Sequence, residues 1–545
     1  MRSIEIPQPE DRDWRYRVFE ILPAFLTYSL FLLPIILGKF APNWAAYFVV
    51  AYLLIWFVRA IGIDIRSIQG WRVINQHKKL PWRELNSDLE NLRPNTPKAP
   101  KWHARNITRV KKHIPETQRI RPSQVYHAVF IAFYNEPRDV VEPTIQSVLD
   151  TDYAHDKVIL FLAYEERGGE ETEKTAKYLI KKYGHRFYHA EAIKHPQNIP
   201  GEISGKGGNI TYAARRLKKY LEKDKIDPMH VLVTTLDSDN RPDKQYLGAL
   251  TYTYCSTEDP KHASYQPIPM FLNNIWDAPA PMRVIATGNS FWNVLLSVRP
   301  HALRNFSSHA QPMAALIDTD FWSVRTIVED GHQFWRTWFR YDGNHYVYPI
   351  YTPIYQDAVL TDNYKKTIKM QFKQIQRWAY GASDIAYFTN QAFFKINNIP
   401  LHKKIAKGWR LLEDHLSRST APLLLLLAAY PVFFFHASSN TLGVGILANE
   451  LPQYASALQR IAMVGIMISL YLSMRSLPPK PLRYRRHRTI WMIIQWIYLP
   501  ITSIVFSALA AINSQTRLAF KWYLGFNVTE KVTKSERVEV GSLLK

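Results

Sequence analysis

Two uncharged runs stand near the start of the chain, residues 21–38 (ILPAFLTYSLFLLPIILG) and 40–58 (FAPNWAAYFVVAYLLIWFV). Roughly 20 apolar residues cross a hydrocarbon core, so the pair predicts a membrane-spanning helical hairpin over residues 1–63. Arg12, Arg15 and Arg17 precede the hairpin and Arg59, Arg66 and Arg72 follow it, whereas the turn holds only Lys39. Basic residues stay on the cytoplasmic side, which places both ends there. Residues 64–122 are polar, basic and proline-bearing and read as a juxtamembrane connector.

From 123 to 380 the pattern changes. The runs VYHAVFIAF, KVILFLAY and HVLVTTL alternate with helix-like stretches such as 138–150 and 172–183. This alternation predicts βαβ units in a soluble α/β domain with a mostly parallel sheet. Residues 381–417 interleave aromatic and basic positions (Phe393, Phe394, Lys395, Lys403, Lys404, Trp409) and read as amphipathic interface helices. Residues 418–516 are membrane-like again. One span is expected within 419–449, and 461–474 is short for a second unless Arg460 and Arg475 snorkel. The loop RSLPPKPLRYRRHR is expected on the cytoplasmic side. Residues 489–516 run without a charge around Pro500. A single span there would leave the basic tail, 517–545, outside; a re-entrant hairpin would return it.

Composition narrows the partners. The formal net charge of +23 over 545 residues points to a polyanionic neighbour. The membrane segments favour lipid headgroups and phosphorylated substrates, and no nucleic-acid partner is expected. The single cysteine, Cys255, excludes an intramolecular disulfide and a multi-cysteine zinc site.

Chemistry-bearing residues fall at strand ends, where open α/β sheets bind ligands. Asn135-Glu136 follows the run VFIAF, and Glu165 ends the next apolar run; either acid can accept from a nucleoside. Lys206, in Gly205-Lys206-Gly207-Gly208, opens a helix-like stretch where the backbone can approach a ligand and the lysine can meet a phosphate. The spacing does not match the nucleotide-triphosphatase P-loop. Asp237 and Asp239 flank Ser238 directly after VLVTTL. Alternate carboxylates on an extended segment can face one Mg2+ or Mn2+, which prefers hard oxygens together with phosphate and water. Glu329-Asp330 precedes HQFWRTWF, and a carboxylate there can take a proton from an attacking hydroxyl. Gln374, Arg377 and Trp378 share one helix face; Arg377 suits a diphosphate and Trp378 a sugar ring.

In this order the residues resemble the processive family 2 glycosyltransferases, the cellulose and hyaluronan synthase type. The resemblance spans about 125 to 515 and rests on Asn135-Glu136, Asp237-Ser238-Asp239, Glu329-Asp330 and Gln374-Ile375-Gln376-Arg377-Trp378. It implies a GT-A fold embedded between transmembrane helices, with an Asp-x-Asp that holds the metal and the diphosphate of a UDP- or GDP-sugar. It also implies Asp330 as general base, a Gln-x-x-Arg-Trp element at the acceptor end, and inversion by direct displacement. Asp357 lies only 17 residues before Gln374, against 44 for Asp330, so Asp330 is taken as the base and Asp357 as a structural or acceptor-side acid. The expected activity is sugar transfer to a polysaccharide or lipid-linked acceptor at the cytoplasmic face of the membrane. The alternatives are a membrane-anchored phosphohydrolase using Asp237, Asp239 and His332, or a transporter with a cytoplasmic domain.

Overall fold

The first helix begins where Asp13 accepts a hydrogen bond from the Tyr16 amide at 2.8 Å. It runs Trp14–Phe40, and Pro42 opens the next helix, Pro42–His77, after a one-residue break at Ala41. The computed structural model describes residues 3–436, 445–485 and 487–525. At 1.5 Å per residue the two helices are about 40 and 54 Å long, longer than a hydrocarbon core of about 30 Å. The second continues well past the apolar run ending at Val58, and Gly70 lets it approach Val294 of the helix Ala280–Ser297.

An eight-stranded sheet forms the centre of the soluble part. Its strands are β1 (Tyr126–Phe133), β2 (Val158–Glu165), β3 (His189–His195), β4 (Val231–Asp237), β5 (Arg241–Pro242), β6 (Ala263–Met270), β7 (Ala310–Pro312) and β8 (Tyr346–Tyr355). The spatial order is β3-β2-β1-β4-β7-β6-β8-β5. In β1, Val129, Ile131 and Phe133 face one apolar core with the helices Arg138–Leu149 and Gly169–Tyr183. Ala128, Phe130 and Ala132 face the other, under the helix Lys206–Asp224. Burial on both faces is why these strands read as continuous apolar runs.

The sheet is mixed, with its four long pairings parallel, as the alternation predicts, and its three short ones antiparallel. β3, β2, β1 and β4 pair in parallel, and β6 pairs in parallel with β8, but β7 runs antiparallel to both β4 and β6, and β5 antiparallel to β8. Strands β5 and β7 are two and three residues long, too short to carry an alternation. In β6, a register shift between Gln266 and Ile268 further breaks the pattern. The order 3-2-1-4 has its switch point at β1, whose chain crosses to β2 on one side while β4 lies on the other, opening a crevice at their carboxyl ends.

Four helical stretches among the described residues are long and apolar enough to cross a membrane: Trp14–Phe40, Pro42–His77, Leu451–Ser476 and His487–Ala519. The span expected within 419–449 takes another form. Leu401–Leu427 carries the basic 401–417 segment straight into the leucine run, and Tyr430–His436 follows; residues 437–444 lie outside the described set, as does the tail from 526.

Contacts fix which ends of these helices lie together. Beside the sheet, Tyr387 donates to the Ile4 carbonyl at 2.6 Å, and Trp276 Nε1 donates to the Pro478 carbonyl at 3.0 Å. At the opposite end, Gly38 abuts Pro431 and Val432, and the Gly445 amide donates to Asn43 Oδ1 at 2.8 Å. The stretch His487–Ala519 has both ends on the sheet domain. Arg488 donates to the Trp276 carbonyl at 2.9 Å, while Ser514 donates to the Gln376 carbonyl at 2.7 Å and Arg17 to the Ala519 carbonyl at 2.9 Å. The stretch is interrupted by 3-10 and π turns between Gln495 and Ala508, around Pro500, and the contacts at its two ends return the chain to the sheet side.

This arrangement predicts the outcome of cysteine labelling. Cys255 is buried, and Lys39 and Lys174 are exposed. In sealed vesicles of one orientation, an impermeant maleimide should label Gly525→Cys and Lys174→Cys from one side and Lys39→Cys from the other. Labelling of Gly525→Cys together with Lys39→Cys would contradict the placement.

Candidate active site

Two helix starts and one strand end meet at the crevice. Lys206 is the first residue of Lys206–Asp224, Glu329 and Asp330 open Glu329–Arg340, and Asp237 ends β4. A Cβ at Gly207 would collide with the Ser323 carbonyl and crowd Glu329, so only glycine lets the first helix come this close. Asn209 anchors the same helix to β2 through the Ala163 carbonyl at 2.8 Å.

Lys206 Nζ lies 3.0 Å from Asp237 Oδ1 and 3.4 Å from each Asp330 carboxylate oxygen. Burial favours the neutral amine, but Asp237, Asp330 and Glu329 together outweigh it and hold the Lys206 pKa above its ordinary value. Burial pushes Asp330 well above the usual carboxylate range; Lys206 opposes this, and Glu329 and Asp237 reinforce it. Glu329 is also raised by burial, against the pull of Lys206 and Arg377. One buried ammonium thus balances three acids, and Asp330 is left avid for a proton.

His309, the residue immediately before β7, was not singled out by the sequence. Its Nε2 accepts from Trp322 Nε1 at 3.2 Å, so the neutral ring carries its hydrogen on Nδ1, which sits 3.6 Å from Asp330 Oδ1. Burial, then the charge of Lys206, lowers the His309 pKa to about 3, which keeps it neutral. A lone histidine after two serines has no spacing signal that could have found it.

The other expected residues arrange around this centre. Glu136 accepts from the Tyr134 amide at 2.8 Å and from Ser238 Oγ at 3.0 Å, tying the β1 loop to the Asp237–Asp239 turn. Asn135 is exposed at the rim. Asp239 is buried and accepts from the Asp357 amide at 3.1 Å, so Asp357 braces the same turn. Glu165 is paired with Arg167, whose guanidinium lies 4.3 Å from the Tyr134 ring centroid. Gln374, Arg377 and Trp378 share the helix Tyr364–Ala379; Arg377 faces Glu329 electrostatically, Gln374 accepts from Gln371 at 3.1 Å, and Trp378 packs on Phe271. The arrangement therefore brings Lys206, Asp237, Glu329, Asp330 and Arg377 together, while Glu165 is held aside by its own arginine. His332, the candidate ligand of the phosphohydrolase reading, is instead bonded through Nδ1 to Asp384 at 2.6 Å.

Among the described residues, no group of three or more His, Cys, Asp or Glu side chains is placed to hold a metal ion. The donor set at Asp237 and Asp239 is hard oxygen only. Such donors are the kind Mg2+ or Mn2+ prefers, and here Asp237 pairs with Lys206 while Asp239 accepts from the Asp357 amide.

No protein-family model matches the chain, and no curated protein matches it. Among solved structures, the chain is similar to the mannosyltransferase PcManGT from Pyrobaculum calidifontis in complex with GDP-Man and Mn2+. That match has 14% identity and a TM-score of 0.40, and covers 78% of this chain and 96% of that one. It is also similar to S. aureus TarS 1-349, with 11% identity and a TM-score of 0.32 over 74% and 94% of the two chains. A complex of TarS 1-349 with UDP-GlcNAc matches at 12% identity with the same TM-score and coverage. With TM-scores below 0.5, these likenesses carry no part of the functional argument.

The charge balance at Lys206 can be measured. Its ammonium favours the ionised form of Asp330, so Lys206→Met should raise the Asp330 pKa by about 1 to 3 pH units. Difference infrared spectra of the carboxylate band, with Asp330→Asn as reference, would read the shift. An unchanged titration would show that Lys206 does not set the charge of Asp330.

Proposed function

We propose that the chain is a membrane-embedded, inverting glycosyltransferase of the GT-A, processive family 2 kind. It would transfer a sugar from a UDP- or GDP-sugar to a polysaccharide or lipid-linked acceptor at the cytoplasmic face. The observation that carries this reading is the convergence of Lys206, Asp237, Glu329, Asp330 and Arg377 at the switch-point crevice. It offers cations for a diphosphate and, next to them, a carboxylate disposed to take a proton.

In this reading the acceptor hydroxyl oxygen attacks the anomeric carbon from the side opposite the diphosphate. The C–O bond to the diphosphate breaks as the new glycosidic bond forms, and the hydroxyl proton passes to Asp330. The raised Asp330 pKa suits a general base, whose driving force for proton removal grows as its pKa nears the working pH. Burial supplies most of that elevation, with Glu329 and Asp237 adding to it, and Lys206 opposes it. Lys206 and Arg377 also meet the negative charge that develops on the leaving diphosphate. Asp237 and Asp239 would hold the divalent ion, which when bound neutralises the same charge. Asn135, Glu136 and Glu165 border the nucleoside side, and Gln374 and Trp378 the acceptor side. Trp378 offers a ring for the sugar to stack on.

The base assignment has a direct test. Asp330→Asn should lower the transfer rate by about 100- to 10,000-fold while NDP-sugar affinity, measured by calorimetry on the full-length protein, changes little. Near-normal transfer with intact binding would rule Asp330 out as the base.

A further inference from the structure

Away from the crevice, three elements bring their basic faces to one place. Arg59 and Arg66 lie two turns apart on Pro42–His77, Lys407 and Arg410 lie one turn apart on Leu401–Leu427, and Arg299 and Arg304 sit on the loop after Ala280–Ser297. Lys407 Nζ reaches the His301 carbonyl at 3.4 Å, which joins the loop to the second helix. Among the described residues, two carboxylates pair with these six cations: Glu413 with Arg59 at 2.5 Å, and Asp414 with Arg304 at 2.6 Å. Asp64 faces Gly465 instead. Arg66, Arg299, Lys407 and Arg410 make no ion pair among the described residues, and Arg299 Nε is buried without a hydrogen-bond partner.

Like charges this close repel. The Arg299 pKa is held below its ordinary value by burial first, then by Arg66 and Arg410, with Asp414 opposing them in part. His301 is lowered by burial and by Arg410, Arg299, Lys407 and Arg66. The fold therefore gathers six cations against two carboxylates, a cost that an anion would relieve.

The surroundings identify what kind of anion. Beside the cations, Ile61, Ile65, Ile405 and Trp409 are about half exposed or more, and Arg59 lies 5.2 Å from the Trp56 ring centroid. The site sits where the uncharged run 40–58 ends. A soluble anion has no use for that apolar border, whereas an amphiphile with a phosphate head matches both parts.

We propose that Arg66, Arg299 and Arg410 bind the phosphate of an anionic phospholipid, whose chains lie against Ile61, Ile65, Ile405 and Trp409. The site locks the helix Leu401–Leu427 to the sheet domain through the shared headgroup. It stands independently of the sugar-transfer reading, because none of its residues belongs to the crevice.

The test uses full-length protein in phosphatidylcholine nanodiscs with and without phosphatidylglycerol, reading bound phosphatidylglycerol by native mass spectrometry and thermal unfolding in parallel. The parent protein should retain phosphatidylglycerol and unfold at a higher temperature when it is present. Each Arg→Gln change should weaken retention about fivefold, the effect of losing one basic charge near an anionic surface, so that Arg66→Gln/Arg299→Gln/Arg410→Gln loses the response. Lys112→Gln, on a distant exposed helix, should keep it. If the triple variant does not fold, Arg299→Gln alone decides by its retention. Equal retention in the arginine variants and the parent would overturn the site. Full protection by inorganic phosphate in pure phosphatidylcholine discs would overturn the lipid assignment.

Discussion

A single buried ammonium, Lys206, governs the geometry of the crevice. Without it, Asp237, Glu329 and Asp330 would place three carboxylates in a confined space, and each would have to be protonated or moved outward. With it, the start of Lys206–Asp224 is drawn against β4 and against the start of Glu329–Arg340. Gly207 then has to be glycine, because the Ser323 carbonyl and Glu329 occupy the space a side chain would need. The same pairing leaves Asp330 partly exposed toward the cleft, with 19% of its side-chain surface open. An ammonium and a carboxylate of raised pKa are thereby set next to each other by one contact.

The membrane helices serve the same centre indirectly. The helix bearing Gln374, Arg377 and Trp378 is anchored by Gln376, which bonds to Asn513 and Ser514 near the end of His487–Ala519. That stretch is held in turn by Arg283 to Gln495 and by Arg17 to the Leu518 and Ala519 carbonyls. The amino-terminal arm closes the other flank, with Ile4 and Ile6 buried beside Trp335, Tyr387 and Phe388, and Glu5 paired with Arg336 at 3.2 Å. The crevice, the helical stretches Tyr364–Ala379 and His487–Ala519, and the arm thus form one connected set of packed and hydrogen-bonded contacts.

Much of this was legible in the residues alone, for physical reasons. β1, β2 and β4 announce themselves because strands buried on both faces must be continuously apolar, and the hairpin because its apolar runs are long enough to cross a bilayer. Lys206, Asp237 and Glu329-Asp330 stand at element ends, where polar residues interrupt such runs. What escaped had no periodicity to show. β5 and β7 are too short, and His309 and Trp322 meet only through tertiary folding. The stretch 489–516 was ambiguous because hydropathy cannot distinguish a single crossing from a segment that enters and returns on the same side. The amino-terminal arm was unreadable for the opposite reason: two isoleucines, Ile4 and Ile6, among polar neighbours carry too little signal to predict burial.

The most direct measurement is product analysis with purified full-length protein in nanodiscs, supplied with a panel of UDP- and GDP-sugars and Mg2+ or Mn2+. Released nucleotide would be followed by phosphorus NMR and the anomeric configuration of the transferred sugar by proton NMR. The account predicts stoichiometric nucleoside diphosphate, transfer to an acceptor hydroxyl, and an inverted anomeric centre. Release of nucleoside monophosphate or inorganic phosphate, or a retained configuration, would contradict it.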